Sequence, residues 1–194
     1  MKRLRAAVIG LGVGERHAAG YESHPRCTVT ALCDFDEVAV LWLNDDLGFK
    51  TATMISPEHL RAYVFPWHTR LVEHAHAHDK PVILHACGNV SEVIEDLIAT
   101  GIDAKHSFED IIQPVTEFKK QYGDRVAVLG GVDVDFLCRH SEPEIRRYVR
   151  HVLDECAPGG GYALGTGNSV ANYIPVENYL IMLDEGWKWG RDDT

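Results

Sequence analysis

The sequence predicts an α/β protein of about seven strands, most of them in a parallel β/α sheet covered on both faces. Three observations predict it. From residue 80 onward, strand and helix signals alternate with short connections. The strand segments are continuous apolar runs of four to six residues, the pattern of parallel strands covered on both faces. Polar residues follow these runs, at His85 and Cys87, Lys105 and His106, Asp133 and Asp135, Thr166 and Asn168. In parallel α/β folds that C-terminal rim carries the functional site.

The elements follow in order. Leu4–Ile9 is an apolar run, the glycine loop Gly10–Gly14 comes next, and a helical stretch leads to about Ser23. Cys27–Cys33 and Val38–Leu43 are two further apolar runs. Only four residues separate them, too few for a parallel crossover. Either they pair as an antiparallel hairpin, or Asp36–Asp46 is a helix and Lys50–Ile55 the next strand; Val38, Val40 and Trp42 favour strand by propensity. Ser56-Pro57-Glu58 is a helix start, with Ser56 as N-cap and Pro57 in the first turn, and the helix is expected to reach His78. Strand Pro81–His85, helix Ser91–Thr100, strand Ile102–Lys105 and helix Asp110–Tyr122, with a break near Pro114, come next. Then follow strand Arg125–Leu129, a capping box at Ser141–Glu144 opening a helix to Cys156, strand Gly161–Leu164 and helix Pro175–Asp184.

The net charge is −10, and all of it falls in residues 38–194; residues 1–37 are neutral. An acidic surface repels phosphate backbones and anionic lipid, so neither nucleic acid nor membrane is an expected partner. No apolar run approaches the roughly 20 residues of a membrane span. Lys2, Arg3 and Arg5 before Ala6–Val13 imitate a secretion signal, but the glycines and the absence of a small-x-small cleavage site argue against one. Five scattered cysteines (27, 33, 87, 138 and 156), with no CxxC pair, suit free thiols and a cytoplasmic protein.

Four constellations carry chemistry. Gly10, Gly12 and Gly14 between strand and helix, with Asp34 ending the next strand, form a candidate NAD(P) site: glycines admit a pyrophosphate and the carboxylate accepts ribose hydroxyls. The third glycine of the usual spacing would stand at position 15, which is Glu15, and the alternative is a plain tight turn. Second, His85 and Cys87 at a strand end lie on one face of an extended chain, and both are zinc-compatible donors. Asp45, Asp46, Asp133, Cys138 and Asn168 are candidates for a third donor; the alternative is a rim histidine beside a buried thiol. Third, Asp45-Asp46 follows a strand, with Asp46 taken as the inward carboxylate and loop or capping roles as the alternative. Fourth, His74 and His78 share a helix face, where they could pair on a metal or simply suit the C-terminal dipole.

The segments LNDDLGFKTATMISPEHLRAYVFPWHTRLVEHAHAHDKPVILHACGNV, YGDRVAVLGGVDVDFL and PGGGYALGTGNSVANYIPVENYL resemble the C-terminal half of the uroporphyrinogen decarboxylase superfamily, over about residues 38–190. That superfamily also contains corrinoid- and coenzyme M-dependent methyltransferases. The resemblance implies a TIM-barrel origin. In the methyltransferase branch the His-x-Cys pair and a later cysteine bind the zinc that activates a thiol; position 168 holds asparagine where that later cysteine would fall. Residues 4–37 resemble the opening of the glucose–fructose oxidoreductase and inositol dehydrogenase family, which implies a Rossmann-like fragment over residues 1–37 and a half-barrel over 38–194.

These readings converge on a small ligand or a metal, zinc first, at the strand rim. Asp46, His85 and Asp133 are expected to carry chemistry, His85 and Cys87 the metal, and Asn168 the substrate. By resemblance the reaction is methyl transfer to a thiol or a decarboxylation, the latter expected to be impaired. The alternatives are an NAD(P)-dependent oxidoreductase fragment and a non-catalytic truncated or engineered fusion. The exposed edges of a half-barrel predict a homodimer.

Overall fold

The structure is a computed structural model that describes residues 4–6, 27–29 and 39–192. Strands β1 (Leu4–Ala6) and β2 (Cys27–Val29) pair in parallel, apart from the main sheet. The glycines at 10, 12 and 14, the helix expected after them and Asp34 lie outside the described residues.

The main sheet is five-stranded and wholly parallel, in chain order: β3 (Leu41–Asn44), β4 (Val82–His85), β5 (Ala104–His106), β6 (Ala127–Leu129) and β7 (Tyr162–Ala163). The hairpin expected between the second and third apolar runs does not form. β2 pairs with β1, and β3 pairs in parallel with β4, in the register Asn44 opposite His85. The crossover that parallel pairing requires is supplied by residues 45–81. The alternative helix over Asp36–Asp46 is likewise not formed at Leu41–Asn44.

Between the strands run α1 (Pro57–His59), a π-helical turn (Leu60–Val64), α2 (Phe65–His76), α3 (Ile94–Ala99), α4 (Val115–Tyr122), α5 (Val134–Arg139) and α6 (Glu142–Cys156), and α7 (Val176–Asp192) follows β7. Ser56 caps the first, its Oγ accepting from His59 N–H at 3.3 Å. The helix expected from Asp110 begins instead at Val115. Pro114 holds ψ at 142°, has no N–H for the ladder and disfavours helix in the residue before it. α5 has only six residues and no long apolar period, so its apolar pattern is too short to announce it. α7 runs eight residues past the expected end at Asp184. Arg146 holds it to α6 through Asp184 (2.7 Å) and buried Glu185 (3.1 Å).

The core identifies which sheet face the helices cover. Leu41, Val82, Leu84 and Val128 pack with Val72 of α2, Leu97 of α3, Phe118 of α4 and Val152 of α6 in one buried cluster. Side chains alternate along each strand, so Trp42, Asn44, Ile83, His85 and His106 project from the opposite face. That face is open at β3, where Trp42 is 41% exposed. Among the described residues no helix is long and apolar enough to cross a membrane.

Candidate metal centre at the strand rim

β4 ends in His85, and Ala86 continues the strand direction by donating its N–H to His106 C=O (2.9 Å), so Cys87 emerges on the same side as His85. Asp45 N–H bonds to His85 C=O (2.9 Å), drawing the end of β3 alongside. Two glycines lock the rim. Gly88 (φ +84°) lies so close against the Gly48 backbone that any side chain there would collide with it. Gly130 (φ +80°) meets Thr166 C=O and the His106 ring in the same way.

Asp46, His85 and Cys87 come together, with one donor atom from each within 4.8 Å of the others. Cys87 Sγ lies 3.2 Å from His85 Nε2, and His85 Nε2 lies 3.8 Å from Asp46 Oδ1. Asp46 Oδ1 also accepts from Cys87 N–H at 3.2 Å. Asn168 Nδ2 donates to the sulfur (3.3 Å), and Ser107 Oγ stands 3.4 Å from it. Asp45 turns away, to His68 Nε2 at 2.8 Å, as alternation in an extended chain requires.

The protonation of His85 follows from its neighbour. His106 Nε2 lies 3.1 Å from Thr166 C=O, which can only accept, so this nitrogen carries the proton. Burial pushes His106 down to about 4, so at neutral pH its ring has no second proton and Nδ1 is an acceptor. His106 Nδ1 faces His85 Nδ1 at 2.7 Å, so the proton between them belongs to His85. His85, which burial also lowers despite Asp46, therefore presents a bare Nε2 lone pair to Cys87 and Asp46. A histidine oriented through its second nitrogen is the usual arrangement of a metal ligand. Burial raises the Cys87 thiol, opposed first by its contact with Ser107.

Asp133 stands outside this cluster. Its Oδ1 caps α5, accepting from Asp135 N–H (2.7 Å) and Phe136 N–H (3.0 Å), and its Oδ2 accepts from Asp110 N–H (2.9 Å). Both oxygens hold backbone. Cys138 sits in α5. His74 and His78 meet edge-on, with ring centroids 5.1 Å apart. The sequence places His106 at the rim without a role; the signal it carries is two successive strands ending in histidine, at 85 and 106.

The family profile described as uroporphyrinogen decarboxylase (URO-D) matches residues 30–188. The methylated-thiol–coenzyme M methyltransferase of Methanosarcina mazei is 32% identical over 139 residues, covering 72% of this chain and 35% of that protein. A uroporphyrinogen decarboxylase of Geobacter sulfurreducens is 27% identical over 131 residues, 68% of this chain and 37% of that protein. The chain thus spans little more than a third of these relatives. A solved methyltransferase from Methanosarcina mazei superposes with a TM-score of 0.62 at 21% identity, over 78% of this chain and 42% of the other, a likeness of fold.

Proposed function

The chain belongs to the uroporphyrinogen decarboxylase family, and from that premise we propose that its rim holds zinc through Asp46, His85 and Cys87 and serves methyl transfer involving a small thiol. The observation that carries this reading is the convergence of an imidazole nitrogen, a thiol sulfur and a carboxylate oxygen, from His85, Cys87 and Asp46, within 4.8 Å of one another. Sulfur, nitrogen and oxygen donors in this number fit zinc, with three protein ligands leaving one position for a substrate. When bound, zinc supplies the positive charge that stabilises a thiolate at neutral pH.

The chain's own groups do the rest. His106 keeps the His85 proton on Nδ1 and away from the metal side. Asn168 and Ser107 stand as hydrogen-bond partners of the Cys87 sulfur, and the Asn168 N–H favours its anionic form. Asn168 acts here as a donor to the sulfur and not as a ligand. Asp46, more than half exposed, closes the cluster on the solvent side. The name of the Methanosarcina relative, a methyltransferase acting on a methylated thiol, supports the same chemistry.

The test is zinc stoichiometry in purified protein. One equivalent in the parent chain and in Cys138→Ala, lost in His85→Ala and Cys87→Ala, supports the reading. Absence of bound zinc in the parent after loading and desalting overturns it.

A further inference from the structure

Lys105 alternates with His106 along β5 and so lies on the helix side of the sheet, within the core. It is 4% exposed. Its Nζ donates one hydrogen bond, to Ser107 C=O at 2.6 Å, and stands over the Phe108 ring at 4.3 Å and the Phe118 ring at 5.5 Å. No carboxylate among the described residues forms an ion pair with it. A buried ammonium needs a counter-charge or extra hydrogen bonds, and one carbonyl and two ring faces leave donors to spare.

Lys105 lines a cavity of about 200 Å³ between the start of α3 and the segment leading to α4, together with Ser107, Ile94, Phe108, Glu109, Glu117 and Phe118. A cavity of about 150 Å³ is large enough for benzene. Phe108, Phe118 and Ile94 give this otherwise polar cavity an apolar patch, and Lys105 at its wall has no counter-charge. Glu109 and Glu117 line it as well and disfavour a ligand with more than one negative charge.

We propose that this cavity binds a small monocarboxylate, with the carboxylate on Lys105 Nζ and an apolar body against Phe108, Phe118 and Ile94. The cavity adjoins the Asp46–His85–Cys87 cluster through Ser107, which lines it and whose Oγ stands 3.4 Å from Cys87 Sγ, and the proposal requires no metal in that cluster.

The test is calorimetric titration of the full chain, with chelator present so that no metal can bind the probe. Benzoate is compared with benzamide, its uncharged analogue of the same size. The expected result is that the parent binds benzoate at least tenfold more tightly than benzamide. In Lys105→Met, folded by circular dichroism, benzoate weakens at least tenfold and the preference disappears. Benzoate binding no better than benzamide to the parent, or undiminished binding in the folded variant, overturns the proposal. Should the variant not fold, the comparison on the parent decides alone.

Discussion

His85 and His106, ending adjacent strands, face each other Nδ1 to Nδ1 at 2.7 Å, and the carbonyl of Thr166 on the far side of His106 settles which ring holds the shared proton. The proton sits on His85, so its other nitrogen is free to ligate.

This relay makes His106 a positioning residue with a measurable signature. His106→Ala is expected to lower zinc affinity by about 10- to 100-fold, the usual cost of losing a partner behind a metal-bound histidine. His106→Asn, which can still accept from His85 Nδ1–H, should recover part of it. Nitrogen-15 NMR should show His85 as the Nδ1–H tautomer in the parent and a mixture in His106→Ala. An unchanged tautomer together with unchanged affinity contradicts the relay.

The pH dependence of metal binding should report one proton near neutrality. Burial lowers His85 from its ordinary 6.5, so above that pH the imidazole is already neutral and releases nothing. Burial raises the Cys87 thiol, so the thiol must lose its proton for the sulfur to ligate. Affinity should therefore rise with pH by about tenfold per unit between pH 7 and 8. A slope of zero would mean that the sulfur is not a ligand; a slope of two would mean that His85 is protonated there.

Lys105 should leave a mark on stability of opposite sense to that of a salt-bridged group. Burial pushes it from an ordinary 10.5 to about 8. Between those values the unfolded chain binds the proton and the fold does not, so stability rises with pH across that window and the cost is fully present below pH 8. The cost is about 3 kcal/mol. Urea unfolding of the parent and of Lys105→Met should show the variant gaining most at pH 7, with the advantage shrinking toward pH 10.5. A gap that does not change with pH contradicts the assignment.

The parts of the site that lay within one strand were legible in the sequence. His85 and Cys87 two residues apart share a face by the pleat alone, and the adjacent carboxylates Asp45 and Asp46 had to diverge. What required two strands was not legible. The pairing register that sets His106 opposite His85 is a property of the sheet, and so is the placing of Asn168 beside a cysteine 81 positions earlier. Asp133 caps α5, a role that a carboxylate after a glycine pair at a strand end does not announce, because α5 is too short to reveal itself in the sequence. The fold followed the same division. Continuous apolar runs gave β4 to β6, while the partner of β3 depended on which segment supplied the crossover.

Among the described residues the main sheet ends at β3 and β7, and Trp42 at β3 is 41% exposed on the face opposite the helices. We propose that the chain self-associates through this side as a homodimer. Light scattering should give twice the 21.7 kDa chain mass, and Trp42→Arg should halve it. A monodisperse parent monomer at micromolar concentration contradicts the proposal.

Cobalt substitution tests the metal centre most directly. One equivalent of cobalt(II) is expected to bind and to give a near-ultraviolet sulfur-to-cobalt charge-transfer band, which Cys87→Ala abolishes and Cys138→Ala leaves intact. Failure to bind cobalt, or a band that survives in Cys87→Ala, would contradict it.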